Sequence, residues 1–331
     1  MIEVSSLSDD AKKGEDKSAL CPPLALVGLM AVLFVIASWS CWSISVEADY
    51  SFVWAGRYDE GLSVLVVRLM CFVIAAHRMY YTLYCAPTLP IDLRYIKGSR
   101  FRARRLMMGG SRRLCTFTVQ SWALETIYFG VGVCACVFKN QTLSLGALLL
   151  FETCFATAHL VSAVTAFVLL PTAAKVCATE GTLVKDHILL APQALWLHNA
   201  NVLLLHADLF VSNQKLLASH LGGPIFWALW YIAFAWVLAI KERFVMYPFI
   251  DFTIAPSKSV PFHFGLALVL VIFFLVGVSF DTILHNTKTR TRLLAHIALL
   301  SLVTRFSVKQ LPKPLVPKEV KKPKEVKSKI R

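Results

Sequence analysis

Charge is what large parts of this 331-residue chain lack. Residues 18–46 contain no Asp, Glu, Lys or Arg, a run long enough to cross a hydrocarbon layer of about 30 Å. Acidic residues are absent from 94–113, where eight arginines and lysines stand together. Three enzyme signatures are missing as well: there is no G-x-S-x-G elbow, no glycine-rich phosphate loop and no H-E-x-x-H zinc motif. Their absence removes the serine-elbow hydrolase, nucleotide-binding and zincin readings. The polar first 20 residues offer no basic segment followed at once by a short apolar core, so no cleavable signal peptide is expected.

Apolar residues are what the chain has in excess. They make up 57% of it, and the mean hydropathy is +0.62, too apolar for a soluble globular protein. Seven segments are long enough to span a bilayer, near 23–45, 62–85, 114–138, 143–170, 187–212, 221–240 and 261–285. Only helices satisfy their own backbone over such lengths, so the expected fold is an all-α polytopic membrane bundle of about seven spans. Residues 291–308, with a short apolar core between arginines, suit an amphipathic or interfacial helix better than a span. The expected organisation is a disordered tail over 1–20, an additional span and loop over 21–61, a membrane domain over 62–290, the helix over 291–308, and a basic disordered tail over 309–331.

The net charge of +14 is concentrated in two places, the 94–113 stretch and the tail, where nine basic residues face only Glu319 and Glu325. Beside membrane spans such patches meet anionic headgroups, and without an aromatic-interleaved or zinc motif no nucleic-acid partner is expected. Membrane lipids are the expected partners. Five spans separate the two patches, which would put them on opposite sides unless 291–308 also crosses. Lys327 and Lys329, fifth and third from the end, resemble a dilysine retrieval signal, which points to the endoplasmic reticulum or another endomembrane. The nine cysteines are scattered. Cys134 and Cys136, two apart, have a poor metal-ligand spacing and no completing pair, so no metal and no cofactor is expected.

Polar residues inside apolar segments are expensive and mark sites. On a helix turning about 100° per residue, Asn201 and Asp208 lie within about 20° of each other, with His198 roughly 60–80° away. These three share a stripe, whereas His206 faces elsewhere. In the third span Thr118 and Glu125 share a face that must turn inward, because an unpaired carboxylate in lipid costs several kcal/mol. Thr116 points the opposite way. In the fourth, Glu152 and His159 are again co-facial, as a proton relay or an interhelical pair. Arg68, His77, Arg78, Asp281 and His285 lie towards span ends, where snorkelling accounts for most of them. A threonine hydroxyl beside a histidine base can act as a nucleophile. The same residue types also serve plain helix packing, or an ion path in a transporter.

Three landmarks resemble the androgen-induced, FAR-17a-type family of multi-pass membrane proteins, which includes threonine hydrolases of fatty acid esters of hydroxy fatty acids. They are Leu114-Cys115-Thr116-Phe117-Thr118 leading to Tyr128-Phe129, His198 with Asp208 ten residues later, and Val245-Met246-Tyr247-Pro248-Phe249-Ile250-Asp251 before the last span. The similarity covers roughly 62–286 and implies six family-like spans plus one N-terminal addition. It implies Thr118 as nucleophile, with Thr116 as the competing assignment, and His198 as base. Asn201, Asp208 and Glu125 are the expected supporting residues. The chain departs from the family pattern at Ala239 and Ile240, where a histidine pair would stand, and at Val245, where an aromatic would.

Overall fold

Apolar runs this long leave the backbone no partner but itself, and the chain responds with helices almost throughout. A computed structural model describes residues 20–305 apart from positions 43, 45–47, 58, 60, 181–188 and 190–191. The expected N-terminal tail up to residue 19 and the basic tail with its dilysine-like end lie outside the described residues.

The helices are α1 (Leu24–Trp42), α2 (Leu62–Tyr80), α3 (Phe117–Phe138), α4 (Gln141–Val164), α5 (Leu170–Glu180), α6 (Pro192–Val211), α7 (Gly222–Glu242), α8 (Pro256–Leu284) and α9 (Thr289–Val303). One-turn π segments extend α2 over Tyr81–Cys85 and join α4 to α5 over Thr165–Leu169. Among the described residues seven helical stretches, beginning at Leu24, Leu62, Phe117, Gln141, Ala194, Ala218 and Pro256, are long and apolar enough to cross a membrane. The protein is an all-α, multi-pass membrane bundle.

At the centre lies α4, where every residue from Phe151 to Ser162 is buried. Ala156, Ala158, Thr153, Thr157 and Ser162 keep its surface narrow, which lets neighbouring backbones approach. Its start is fixed locally. Lys139 closes α3 in the left-handed conformation at φ 47°, and the Asn140 side chain accepts from the Leu143 amide at 3.0 Å. A connection this short makes α3 and α4 antiparallel neighbours.

The Arg-rich connection is structured. Its strands β1 (Leu89–Leu93) and β2 (Arg104–Met108) pair antiparallel, with Ile91 opposite Leu106. Leu93, Leu106 and Met108 turn inward with Tyr95 and Phe101 onto Phe244, Val245, Ile250 and Phe252. Arg105 faces out and pairs with Asp92 at 2.8 Å. The Tyr95 hydroxyl donates to the Val245 carbonyl at 3.3 Å, and Ser99 bonds Asp251. The hairpin and the 244–254 loop therefore form one cap over the end of the bundle where α3 begins.

The α9 helix packs against the bundle. From the far end of α8 it doubles back along α6, with His296 against His206 at 2.6 Å. At its end the Arg305 amide donates to Asn199 Oδ1 at 3.0 Å, towards the capped end of the bundle. Leu293, Leu294, Ile297 and Leu302 cover its outer face. With α9 returning, the described region ends in the same half of the bundle as the arginine hairpin.

Arg68 is not a snorkelling residue. It is fully buried on α2, and its Nε donates to Asp208 Oδ1 at 3.0 Å while Nη2 reaches Oδ2 at 3.4 Å. Tyr128 and Gln214 bond the same pair. Glu152 is likewise consumed: it accepts from the Leu217 amide and bonds His220 Nδ1, both at 2.7 Å. Asp281 accepts from the Leu216 amide at 3.1 Å. Removing one member of a buried pair strands the other. Asp208→Ala is expected to cost about 3–5 kcal/mol and lower the melting temperature in detergent, whereas Arg68→Met combined with Asp208→Leu recovers most of the loss. Thermal unfolding of the single and double variants checks this.

Candidate functional site

Three helices converge on the Thr118 hydroxyl. Thr116 is the N-cap of α3, with extended backbone at φ −90°, ψ 139°. Its Oγ1 accepts from the Val119 amide at 3.3 Å and donates to the Arg113 carbonyl at 2.9 Å. That cap starts the helix so that Thr118, Trp122 and Glu125, spaced by four and three residues, face α6. Trp122 Nε1 then donates to the Leu197 carbonyl at 2.7 Å, and Ser162 Oγ on α4 donates to the His198 carbonyl at 2.7 Å. Both bonds set the height of α6 against its neighbours. They bring Thr118 Oγ1 to 3.2 Å from His198 Nδ1.

On its other side Thr118 borders an apolar cavity of about 80 Å³ that opens to the surroundings. Leu33 of α1, Leu160 of α4, Leu229 of α7 and Leu270 of α8 line it, and Tyr247 and Phe249 of the capping loop close one end. Thr118, Thr165, Tyr231 and Tyr247 are the hydroxyl-bearing residues of that lining. His198 is not among the lining residues; it stands behind Thr118. A carbonyl in the cavity would meet the threonine oxygen on one side while the imidazole receives the proton on the other.

The remaining expected residues divide. Asp208 lies ten residues beyond His198, about 15 Å along the helix, and its oxygens serve Arg68 and Tyr128. Asp208, expected among the supporting residues, makes no bond to His198 among the described residues. Asn201 is fully buried; its Oδ1 accepts from the adjacent Val202 amide and its Nδ2 is unpartnered. Glu125 is buried with Oε1 unpartnered. Neither has a bond to His198 among the described residues. Thr116 spends its hydroxyl on the cap, so Thr118 and not Thr116 meets the histidine.

His159 joins neither Glu125 nor His198. Its Nε2 lies 3.1 Å from His206 Nε2, and His206 Nδ1 lies 2.6 Å from His296 Nδ1. His159 Nδ1 donates to the Phe155 carbonyl at 2.7 Å, so the three rings form one hydrogen-bonded chain. Among the described residues no group of three His, Cys, Asp or Glu side chains is arranged to hold a metal ion.

Tyr247 was not singled out by residue reasoning, although it stands in the Val245–Asp251 landmark. The stacked ring of Phe249, with centroids 5.3 Å apart at 10°, fixes its own ring. With Thr118 it lines the apolar cavity. Comparison with family models, curated proteins and solved structures finds no match.

Because the Thr116 hydroxyl caps α3, Thr116→Ala is expected to lower stability by about 1 kcal/mol and Thr116→Ser to restore it. Thermal unfolding separates this structural role from that of Thr118.

Proposed function

We propose that this protein is an intramembrane hydrolase of lipid esters, with Thr118 as nucleophile and His198 as general base. The observation that carries the reading is the 3.2 Å contact between Thr118 Oγ1 and His198 Nδ1 at the wall of an apolar cavity. A hydroxyl becomes a useful nucleophile when a base within hydrogen-bond reach takes its proton. A cavity lined by leucine, isoleucine, valine and phenylalanine takes an acyl chain, and its hydroxyl-bearing end takes the ester. Such a site uses no metal or organic cofactor.

The reaction proceeds in two halves. Thr118 Oγ bonds to the ester carbon while its proton passes to His198 Nδ1. Collapse breaks the carbon–alkoxy bond, and His198 returns the proton to the leaving alkoxide. Water then attacks the acyl-threonine with His198 again as base, releasing the acid and restoring Thr118. Resemblance to the androgen-induced, FAR-17a-type family makes fatty acid esters of hydroxy fatty acids the first substrates to examine. That resemblance, with the dilysine-like tail, also favours an endomembrane location. The arginine hairpin would rest against anionic headgroups, at up to about 1 kcal/mol per basic side chain near the surface. A transporter reading loses support because Arg68, Asp208, Glu152 and His220 are committed to one another.

Hydrolysis of a fatty acid ester of a hydroxy fatty acid by the purified protein in detergent tests the proposal. Thr118→Ala is expected to abolish turnover, and His198→Ala to lower kcat by about 10²–10⁴-fold. Thr118→Ser, which keeps a hydroxyl, retains measurable turnover. Equal turnover by wild type and Thr118→Ala would overturn the assignment.

A further inference from the structure

We propose that Thr165 is a catalytic residue of this site, donating its hydroxyl hydrogen to the carbonyl oxygen of the ester that Thr118 attacks. The inference rests on the hydrolase reading and extends it to the end of α4. Attack at the carbon moves the carbonyl π pair onto oxygen, and that charge needs a donor already in place. His198 stands behind Thr118 and takes the threonine proton, so the donor must come from the cavity wall.

Thr165 lines the cavity together with Thr118 and is only 1% exposed. A threonine inside a helix commonly spends its hydroxyl on the carbonyl four residues earlier. Three threonines of the same helical run do so. Thr153 donates to the Leu149 carbonyl at 2.8 Å, Thr157 to that of Thr153 at 2.8 Å, and Thr172 to that of Val168 at 2.7 Å. Thr165 opens the π turn Thr165–Leu169, and its hydroxyl makes no hydrogen bond among the described residues. Single π turns inside α-helices recur at functional sites. A buried hydroxyl without a partner is costly, and the oxygen of a bound ester supplies the missing acceptor. Tyr231 lines the same cavity but donates to the Cys115 carbonyl at 3.0 Å, so its hydrogen is already spent.

Helix register puts Thr165 at a useful height. The antiparallel pair α3 and α4 turns at Lys139 and Asn140, which sets Val161 level with Thr118. Thr165 is then one turn, about 6 Å, nearer the capped end. One carbonyl fits that interval, with its carbon about 3 Å from Thr118 Oγ1 and its oxygen turned towards Thr165. No proton leaves Thr165 in this role. Its hydrogen bond strengthens as the oxygen gains charge, and the electron pair returns to the carbonyl when the alkoxide departs.

The test compares Thr165→Val, which keeps the shape and removes the hydroxyl, with Thr165→Ser, which keeps the hydroxyl. The readout is hydrolysis of a fatty acid ester of a hydroxy fatty acid by the purified protein in detergent. In Thr165→Val, kcat/KM is expected to fall by about 10²-fold, with a melting temperature no lower than that of wild type. Thr165→Ser is expected to retain most of the turnover. An unchanged kcat/KM in Thr165→Val would overturn the role. So would an equal loss in both variants, which marks packing by the threonine methyl. A wild type that hydrolyses no ester would instead overturn the hydrolase reading beneath it, so the two failures are distinguishable.

Discussion

In hydrocarbon a polar side chain has no water to fall back on, and this requirement organises the bundle more than any apolar contact does. Two helices that both carry charge, α2 and α6, are locked by Arg68 and Asp208, with Tyr128 of α3 and Gln214 completing the cluster. The loop entering α7 is tied to α4 through Glu152, Leu217 and His220. Three histidines link α4, α6 and α9. Each bond fixes which face of a helix points inward and at what height. Lipid-facing surfaces, by contrast, carry Val, Leu, Ile and Phe that would accept many registers.

The same requirement isolates the candidate site. Arg68 and Asp208, and Glu152 and His220, satisfy one another, whereas Thr118, paired with His198, borders an apolar cavity. The Thr118 hydroxyl is both paired to an imidazole and open to an apolar space. The hairpin and the 244–254 loop matter for the same reason. They seal the end of the bundle over the start of α3, and Tyr247 and Phe249 add to the cavity wall. The α1 helix adds Leu33 to the cavity wall and is held on α7 by close approach at Gly222, where a Cβ would meet the Ala37 carbonyl at 2.5 Å.

Span number and helical class were legible in the sequence because hydropathy is a property of a run of residues, and seven runs are long enough. The inward faces of Thr118 and His198 were legible because 3.6-residue periodicity places Glu125 with Thr118 and Asn201 beside His198. Partner choice was not. Asp208 shares a stripe with Asn201, yet ten residues of helix carry it far from His198 and opposite a charge on α2 that periodicity alone could not locate. Arg68 read as a snorkelling residue because nothing in its own helix names its acceptor. The β-hairpin hid behind arginines whose outward faces conceal the alternation of Leu93, Leu106 and Met108. Tyr247 belonged to a noted landmark, but its place on the cavity wall depends on a loop folding back over the start of a helix more than a hundred residues earlier.

The central claim, that the Thr118 oxygen is the reacting atom, is tested most directly by locating the adduct. Peptide mass spectrometry on fluorophosphonate-labelled protein is expected to place the phosphonyl group on Thr118 and on no other residue of the 114–125 segment. An adduct on Thr116, Ser121 or one of the cysteines would contradict the claim.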